Sequence, residues 1–549
     1  MLQMLARRAR YALVIALAAV SQFASAQDAM KLPGGVSDPV KASRIVTTTY
    51  GAVQGVDDGQ MLAWMGIPYA SPPVKDLRWM PPQAPTAWEG TLVVDRPKDE
   101  CAQGPDLGFF ATPGGSEDCL YLNVYADRQA GNRSQNSGDK LPVFVWIHGG
   151  GLQVGQGADY DPHALVKDGK AIVVTMNYRL GMFGFFAHPA IDAEGHANAN
   201  YGQMDQTFAL KWVQDNIAAF GGDPQNVTIA GESAGGFSVV AQILSPWSKG
   251  LFQNAIEMSG AALLLKEPYP NGTISLETAE KRGTGFAKAT GCEETQKVAN
   301  CLRQLSTAQV LEHRKEFRIG MTVIDGDFMP EAPVALLRSG NFNHVRIISG
   351  NNRDEGEFFA ALPEAETGTP MTAERYPQAL EAMYGENLGK KVLAEYPMSE
   401  YLNASKAYAA SVTDYLFACA SLRLKDLASK HTEVWAYQFA DRTAPSYAPP
   451  VSFDMQAAHT YELPYLFPGF HGGASGVPVE LNPLQETLAA QMQHYWTHAY
   501  EAASWKEWPK YNAESGNILQ LQLSGNRVME KGNFAAQHHC AFWDKQGVY

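Results

Sequence analysis

The chain has 549 residues, 45% of them apolar and 18% charged, a globular balance with ample material for a large core. Length alone suggests three or four domains, although one large α/β sheet with insertions can fill as much. Lys and Arg number 43 against 57 Asp and Glu, a net charge of −14, which argues against nucleic acid or an anionic membrane as a partner and favours solubility.

The N-terminal segment reads as a secretory signal peptide. Arg7, Arg8 and Arg10 make a basic start, residues 11–20 a short apolar run, and Ala24-Ser25-Ala26 a small-residue cleavage pattern. Cleavage after Ala26 would leave residues 27–549, with 40 basic and 57 acidic side chains, a net −17. The competing reading is a membrane anchor, but the run is too short to span comfortably. Export points to the periplasm or the exterior, where cysteines oxidise. The six here are Cys101, Cys119, Cys292, Cys301, Cys419 and Cys540, an even number that suggests three disulfides without fixing their pairing. Metal ligation is the alternative. It lacks a Cys-x-x-Cys pair, and His538-His539-Cys540 reads equally as two polar residues beside a bridged cysteine.

Further along, residues 127–140 are polar and rich in Gly, Asn and Ser, as an exposed loop is. Residues 143–147 and 171–176 are continuous apolar runs typical of buried parallel strands. Residues 203–219 follow a helical period, with Met204, Phe208 and Trp212 on one stripe, and Gly221-Gly222 and Pro224 end the pattern. Residues 227–230 predict a third strand, 237–244 a helix, and 344–349 and 434–439 later strands. Strands alternating with helices imply a mostly parallel sheet covered on both faces. No linker divides the chain, so the expectation is one catalytic domain over residues 27–549. Residues 263–331 and 371–430 are expected as helical insertions.

Two glycine-rich segments carry chemistry. Gly231-Glu232-Ser233-Ala234-Gly235 lies between the strand at 227–230 and a small-residue helix start. That is the strand–turn–helix setting in which a serine nucleophile is presented, with a helix N-terminus aimed at the developing oxyanion. A serine in an ordinary Gly-rich turn is the alternative. His148-Gly149-Gly150-Gly151 follows the strand at 143–147, where consecutive glycines can turn backbone N–H groups toward an oxyanion. A plain Gly-rich turn competes; a phosphate loop lacks its Gly-Lys-Ser/Thr ending.

Several long motifs in order resemble the type-B carboxylesterase and cholinesterase family over nearly all of the mature length. Phe220-Gly221-Gly222-Asp223-Pro224 through Gly235 is similar to its serine signature. Glu117-Asp118-Cys119-Leu120-Tyr121-Leu122-Asn123-Val124 is similar to its second signature, with Asp127 where that signature usually continues to Pro, Gln or Arg. Gly66-Ile67-Pro68-Tyr69-Ala70 and Asn177-Tyr178-Arg179-Leu180-Gly181 match two further blocks. The resemblance implies an α/β-hydrolase fold and a serine carboxylesterase that cleaves small-molecule carboxylic esters through an acyl-enzyme, with no cofactor and no metal.

It also implies the remaining residues. Asp354-Glu355-Gly356 matches the family's acid segment, which selects Glu355, with Asp354 and Glu357 as flanking alternatives. Residues 458–467 resemble the family's histidine stretch, which selects His459 among the seven histidines after Glu355. Ser233 would be the nucleophile, His459 its base and Glu355 the orienting acid. Gly150, Gly151 and Ala234 would supply oxyanion N–H groups. Bridges Cys101–Cys119, Cys292–Cys301 and Cys419–Cys540 follow the family pattern. Glu232 either tunes the site or is a buried structural acid. Leu152 stands where the family usually has an aromatic residue, which would widen the acyl side. The segment between Cys101 and Cys119 lacks the Trp that cholinesterases carry there, so neutral esters are expected over choline esters. A non-catalytic binding protein of the same family, or an acyltransferase or amidase, would share the scaffold. The natural ester and the oligomeric state are not legible.

Overall fold

The continuous apolar runs become strands and lie where strands buried on both faces must, in the middle of one sheet. In a computed structural model, residues 41–128, 140–167, 170–268, 272–293, 297–317, 319–473 and 476–549 are described. The expected signal peptide and most of the loop at 127–140 fall outside them.

The strands in chain order are β1 (Lys41–Thr48), β2 (Gly51–Asp57), β3 (Met61–Pro68), β4 (Thr91–Val93), β5 (Tyr121–Asp127), β6 (Leu141–Ile147), β7 (Ile172–Met176) and β8 (Gly222–Glu232). There follow β9 (Asn254–Met258), β10 (Ile274–Ser275), β11 (Val323–Ile324), β12 (Arg346–Asn352), β13 (Val434–Phe439), β14 (Asn517–Leu521) and β15 (Arg527–Glu530). One sheet runs β1-β2-β3-β5-β7-β6-β8-β9-β12-β13-β14-β15, with β4 alongside β2, while β10 and β11 pair separately. From β7 through β6, β8, β9, β12 and β13 to β14, every pairing is parallel. Antiparallel strands flank this centre at both edges. Strands β7, β9 and β13 are buried at every residue. This is the α/β-hydrolase architecture that the alternation of strands and helices implies.

The helical stripe at 203–219 spans Tyr201–Phe220 and stops at Gly221, whose φ of 100° only glycine adopts without strain. The insertions are helical as expected, with Leu276–Ala289 and Val298–Gln304 in the first. The second holds Tyr376–Tyr384, Glu386–Glu395, Ala404–Val412 and Cys419–Ala428. A π-helical turn, Thr413–Ala418, joins the last two.

Register sets the place of the site. Ile147 pairs with Gly231, Glu232 with Met258, and Met258 with Gly350. The carboxyl ends of β6, β8, β9 and β12 are therefore level, and the loops leaving them lie on one edge of the sheet, where ligand sites of open parallel sheets form. Residues Val40–Tyr549 form one compact unit. The structure pairs Cys101 with Cys119, Cys292 with Cys301 and Cys419 with Cys540. Among the described residues no helix is long and apolar enough to cross a membrane.

Candidate active site

Strand β8 ends at Glu232, and the chain turns straight into the helix Ala234–Leu244. The turn is made on Ser233 alone, at φ 57° and ψ −122°, a backbone state that costs a non-glycine residue of order 1–3 kcal/mol and persists only where the surroundings enforce it. Here they do. A Cβ on Gly235 would sit 2.0 Å from the carbonyl oxygen of Ile147, and one on Gly231 would sit 2.5 Å from the carbonyl carbon of Gly235. Small neighbours let strand and helix close around the serine, which stands half-buried at that edge of the sheet. Its backbone N–H donates to Met258 O at 2.9 Å. Among the described residues no partner holds its hydroxyl.

Glu355 and His459 meet each other, and among the described residues no hydrogen bond joins His459 to Ser233; the link is through Glu232, the residue before Ser233, 3.3 Å from His459 Nε2. Glu355 lies just past β12 and begins the helix Gly356–Thr367. Its carboxylate accepts from Ser259 Oγ at 2.6 Å, from the Asn352 N–H at 2.6 Å, and from His459 Nδ1 at 2.6 Å. With Glu355 ionised, that last bond puts the proton on Nδ1 and leaves Nε2 unprotonated. The imidazole is 2% exposed, with the rings of Phe417, Phe359 and Phe358 at 4.8, 5.2 and 5.7 Å. Burial among them disfavours the cation and pushes the imidazole down to about 4, against the opposing charge of Glu462. Burial likewise pushes Glu355 up, while the Ser259 and Asn352 donors hold it down.

Nε2 faces a second carboxyl. Glu232 Oε1 lies 3.3 Å from it. Glu232 is fully buried, and burial, with the charges of Glu462 and Glu355 nearby, raises it well above the usual carboxylate range. Glu462, three residues past His459, is also fully buried; it accepts from Asn352 Nδ2 and is pushed up to about 7, chiefly by burial. The even choice between a tuning and a structural role for Glu232 thus shifts, since its carboxyl lies 3.3 Å from Nε2 of the imidazole.

The glycine loop lies against the serine. A Cβ on Gly149 would come within 3.3 Å of Ser233 Cβ, and one on Gly150, at φ 99°, within 2.1 Å of Val154 O. Tyr178 Oη donates to His148 O at 2.7 Å and fixes the loop's start. Among the described residues the N–H groups of Gly150 and Gly151 have no acceptor. Ala234 is the first residue of its helix, so its N–H has none within the helix.

The neighbouring candidates are engaged elsewhere. Asp354 takes Arg442 at 2.9 Å through both oxygens, and Glu357 takes Lys406 at 3.0 Å. Of the other late histidines, His538 binds Asp414 at 2.7 Å and His539 binds Glu395 at 2.8 Å. With Cys540 bonded to Cys419, the run 538–540 is divided among three separate partners and forms no common ligand set. Phe109 and Phe110 are buried and set their edges against Phe358, so they pack the disulfide loop. Leu152 is 2% exposed and belongs to the core. The sequence reading missed Ser259, Glu462 and the three phenylalanines. Ser259 follows β9, whose polar Asn254 and Glu257 interrupt the apolar run by which strands were read; Glu462 lay within the histidine stretch but carried no signal of its own.

A level row of parallel strand ends, with a strained serine turn and a buried His–Glu pair above it, defines an α/β hydrolase. The protein belongs to the carboxylesterase family, whose sequence model matches residues 42–543, and is a carboxylic ester hydrolase. It is 35% identical to the acylcarnitine hydrolase of Mus musculus, over 92% of each chain. It is 34% identical to the para-nitrobenzyl esterase of Bacillus subtilis (strain 168), over 87% of this chain and 94% of that one. It is 32% identical to the cocaine esterase of Homo sapiens, over 90% and 88%. Among solved structures, a PNB esterase superposes with a TM-score of 0.73 at 31% identity, covering 90% of this chain and 99% of the other.

Proposed function

We propose that the chain is an exported carboxylesterase whose mature form, residues 27–549, is a single catalytic domain working through Ser233, His459 and Glu355. The observation that carries the reading is the 2.6 Å bond from His459 Nδ1 to Glu355, because it leaves Nε2 as the basic nitrogen, 3.3 Å from Glu232, the residue before Ser233. A serine hydroxyl is a poor nucleophile at its own pKa and needs such a base. His459 takes the Ser233 proton as Oγ attacks the ester carbonyl. The tetrahedral oxyanion is received by the N–H groups of Gly150, Gly151 and Ala234. His459 then protonates the leaving alcohol, and water, deprotonated by the same imidazole, releases the acid from Ser233.

Ser233→Ala should lower turnover of a nitrophenyl ester by about 10⁴-fold or more, since the triad acts as a unit. An organophosphate should label Ser233 and no other residue, as mass mapping would read. A variant keeping a tenth of the wild-type rate rules Ser233 out. For export, support comes from the tripartite N-terminus and from the three disulfides, which suit an oxidising compartment. N-terminal sequencing of exported protein should begin at Gln27; material retaining residues 1–26 would refute cleavage there.

A further inference from the structure

Strand β9 carries a glutamate, Glu257, into a strand buried at every residue. A buried carboxylate is costly unless paired and hydrogen-bonded. Glu257 Oε1 accepts from the N–H of Gly260 at 2.5 Å, and Oε2 accepts from the hydroxyl of Ser349, which stands beside it on β12. Ser349 Oγ lies 3.5 Å from Ser421 Oγ, and Ser421 accepts from Lys425 Nζ at 2.7 Å. Ser421 and Lys425 are one turn apart on the helix Cys419–Ala428. Glu257, Ser349, Ser421 and Lys425 are all 0% exposed.

Lys425 is faced by Glu257 and by Asp426 of its own helix, with the Phe534 ring 5.5 Å away. Burial lowers its ammonium to about 8, and the two carboxylates oppose that. Glu257 is faced by Lys425 and Glu355; burial raises it, and Lys425 opposes.

The other end of this chain of groups reaches the candidate triad. By gripping the Gly260 N–H, Glu257 closes the turn at residues 258–260. Ser259 is held there at φ 53°, a state that must be enforced from outside. Met258 O accepts the backbone N–H of Ser233 at 2.9 Å, Ser259 N–H donates to Gly350 O at 2.8 Å, and the Ser259 hydroxyl donates to Glu355 at 2.6 Å. One turn therefore touches both the backbone of the nucleophile and the carboxylate of the acid.

We infer that Glu257 and Lys425, linked through Ser349 and Ser421, are positioning residues: they hold the 258–260 turn so that Ser259 keeps Glu355 aimed at His459. The inference rests on the assignment of Ser233, His459 and Glu355 made above. Buried opposite charges with no other duty can often be replaced together by apolar side chains of similar volume at little loss. An acceptor that sets a turn cannot.

The test pairs substitutions so that no charge is left alone. Glu257→Leu with Lys425→Met should fold with a lowered melting temperature, since the Gly260 N–H loses its acceptor, and leave KM for a short nitrophenyl ester unchanged, yet lower kcat by about tenfold or more, as small displacements of catalytic groups do. Glu257→Gln with Lys425→Met gives Gly260 an amide oxygen in place of the carboxylate and should restore kcat to within about threefold of wild type. In a Ser259→Ala background the Leu/Met pair should cost at most about twofold more, because both act through one turn. Wild-type kcat in the Leu/Met variant, or a full independent loss in the Ser259→Ala background, overturns the inference. Should the Leu/Met variant not fold, Ser349→Ala removes a single oxygen and carries the same test, with kcat expected down about threefold at unchanged KM and unchanged kcat overturning it. Ser233→Ala in the same assay separates the two readings: if it stays active, the triad assignment has failed rather than the positioning role.

Discussion

In the proposed role, His459 would be a neutral base in the free enzyme and a cation as the serine attacks. Its surroundings favour the first state. Three phenylalanine rings and full burial lower the imidazole to about 4, so the neutral form persists well below the usual imidazole range near 6.5. kcat/KM for an uncharged ester should therefore stay near its neutral-pH value down to about pH 5.5, with the acid limb below that. Glu232 sharpens the expectation. Burial raises its carboxyl well above the usual range and so favours the neutral form; a neutral carboxyl adds no charge 3.3 Å from Nε2, and Glu232→Gln should then leave the acid-limb midpoint where it is. An ionised Glu232 would instead be propping the imidazolium up, and its removal would drop the midpoint by a unit or more; a pH profile of the variant separates the two. The legibility of these residues differs for a physical reason. Ser233 and the glycines were readable because a strained turn and a close backbone approach restrict their own neighbours in sequence. Glu355 and His459, the proposed partners, were reached only by resemblance, since many carboxylates follow Ser233, seven histidines follow Glu355, and nothing local distinguishes one of them. Ser259 acts across strands, and no spacing rule reports that.

At the level of elements, the strands read from sequence were those whose burial on both faces makes them mostly apolar, β6, β7 and β13 among them. The ones missed are of two kinds. At the antiparallel edge, β1 mixes buried and exposed residues and β2 buried and half-buried ones, a weaker signal than a solid apolar run. Strand β9 is fully buried yet includes Glu257, whose place there is explained only by what lies beside it. Short elements at the edge are tied down by charge instead of by apolar area. His163 begins the short helix His163–Val166 and bonds Asp161 through Nδ1 and Asp58 through Nε2, the latter at 3.1 Å; Asp58 in turn caps the β2–β3 turn through the N–H groups of Gln60 and Met61, each at 2.8 Å. Partial burial alone would lower the imidazole, but the hydrogen bonds and charges of the two aspartates outweigh it and raise His163 to about 9. A pKa raised above its unfolded value gives stability that is whole below about pH 6.5 and is lost as pH climbs toward 9. The wild-type melting temperature should fall between those two pH values by more than that of His163→Asn. Parallel slopes for the two proteins would show that this clamp contributes nothing to the pH dependence.

For the molecule as a whole, charge and shape act on a substrate at different ranges. The chain carries a net −14, and −17 without residues 1–26, so a cationic ester is drawn in from a distance at low ionic strength. Holding it at the site requires a local partner, and an aromatic face, Trp above all, is the usual one for a quaternary ammonium. The segment from Cys101 to Cys119 has no Trp, and its two phenylalanines are spent on packing: each is only 8% exposed, with ring centroids 5.6 and 5.8 Å from Phe358. The phenylalanines about His459 are closed around the imidazole. Long-range attraction without a local anchor predicts a preference that salt abolishes, since exposed charges more than about 10 Å apart are screened at 0.1 M ionic strength. The measurement compares kcat/KM for an acetylcholine-type ester and for its isostere in which carbon replaces nitrogen, at low and at high salt. Any advantage of the charged ester should vanish at high salt, leaving the neutral one equal or better, because burying an ammonium against unpaired apolar rings costs solvation that nothing returns. A tenfold preference for the charged ester that survives in high salt, about 1.4 kcal/mol of differential transition-state binding, would require an aromatic cation site elsewhere and would overturn this account of the disulfide loop.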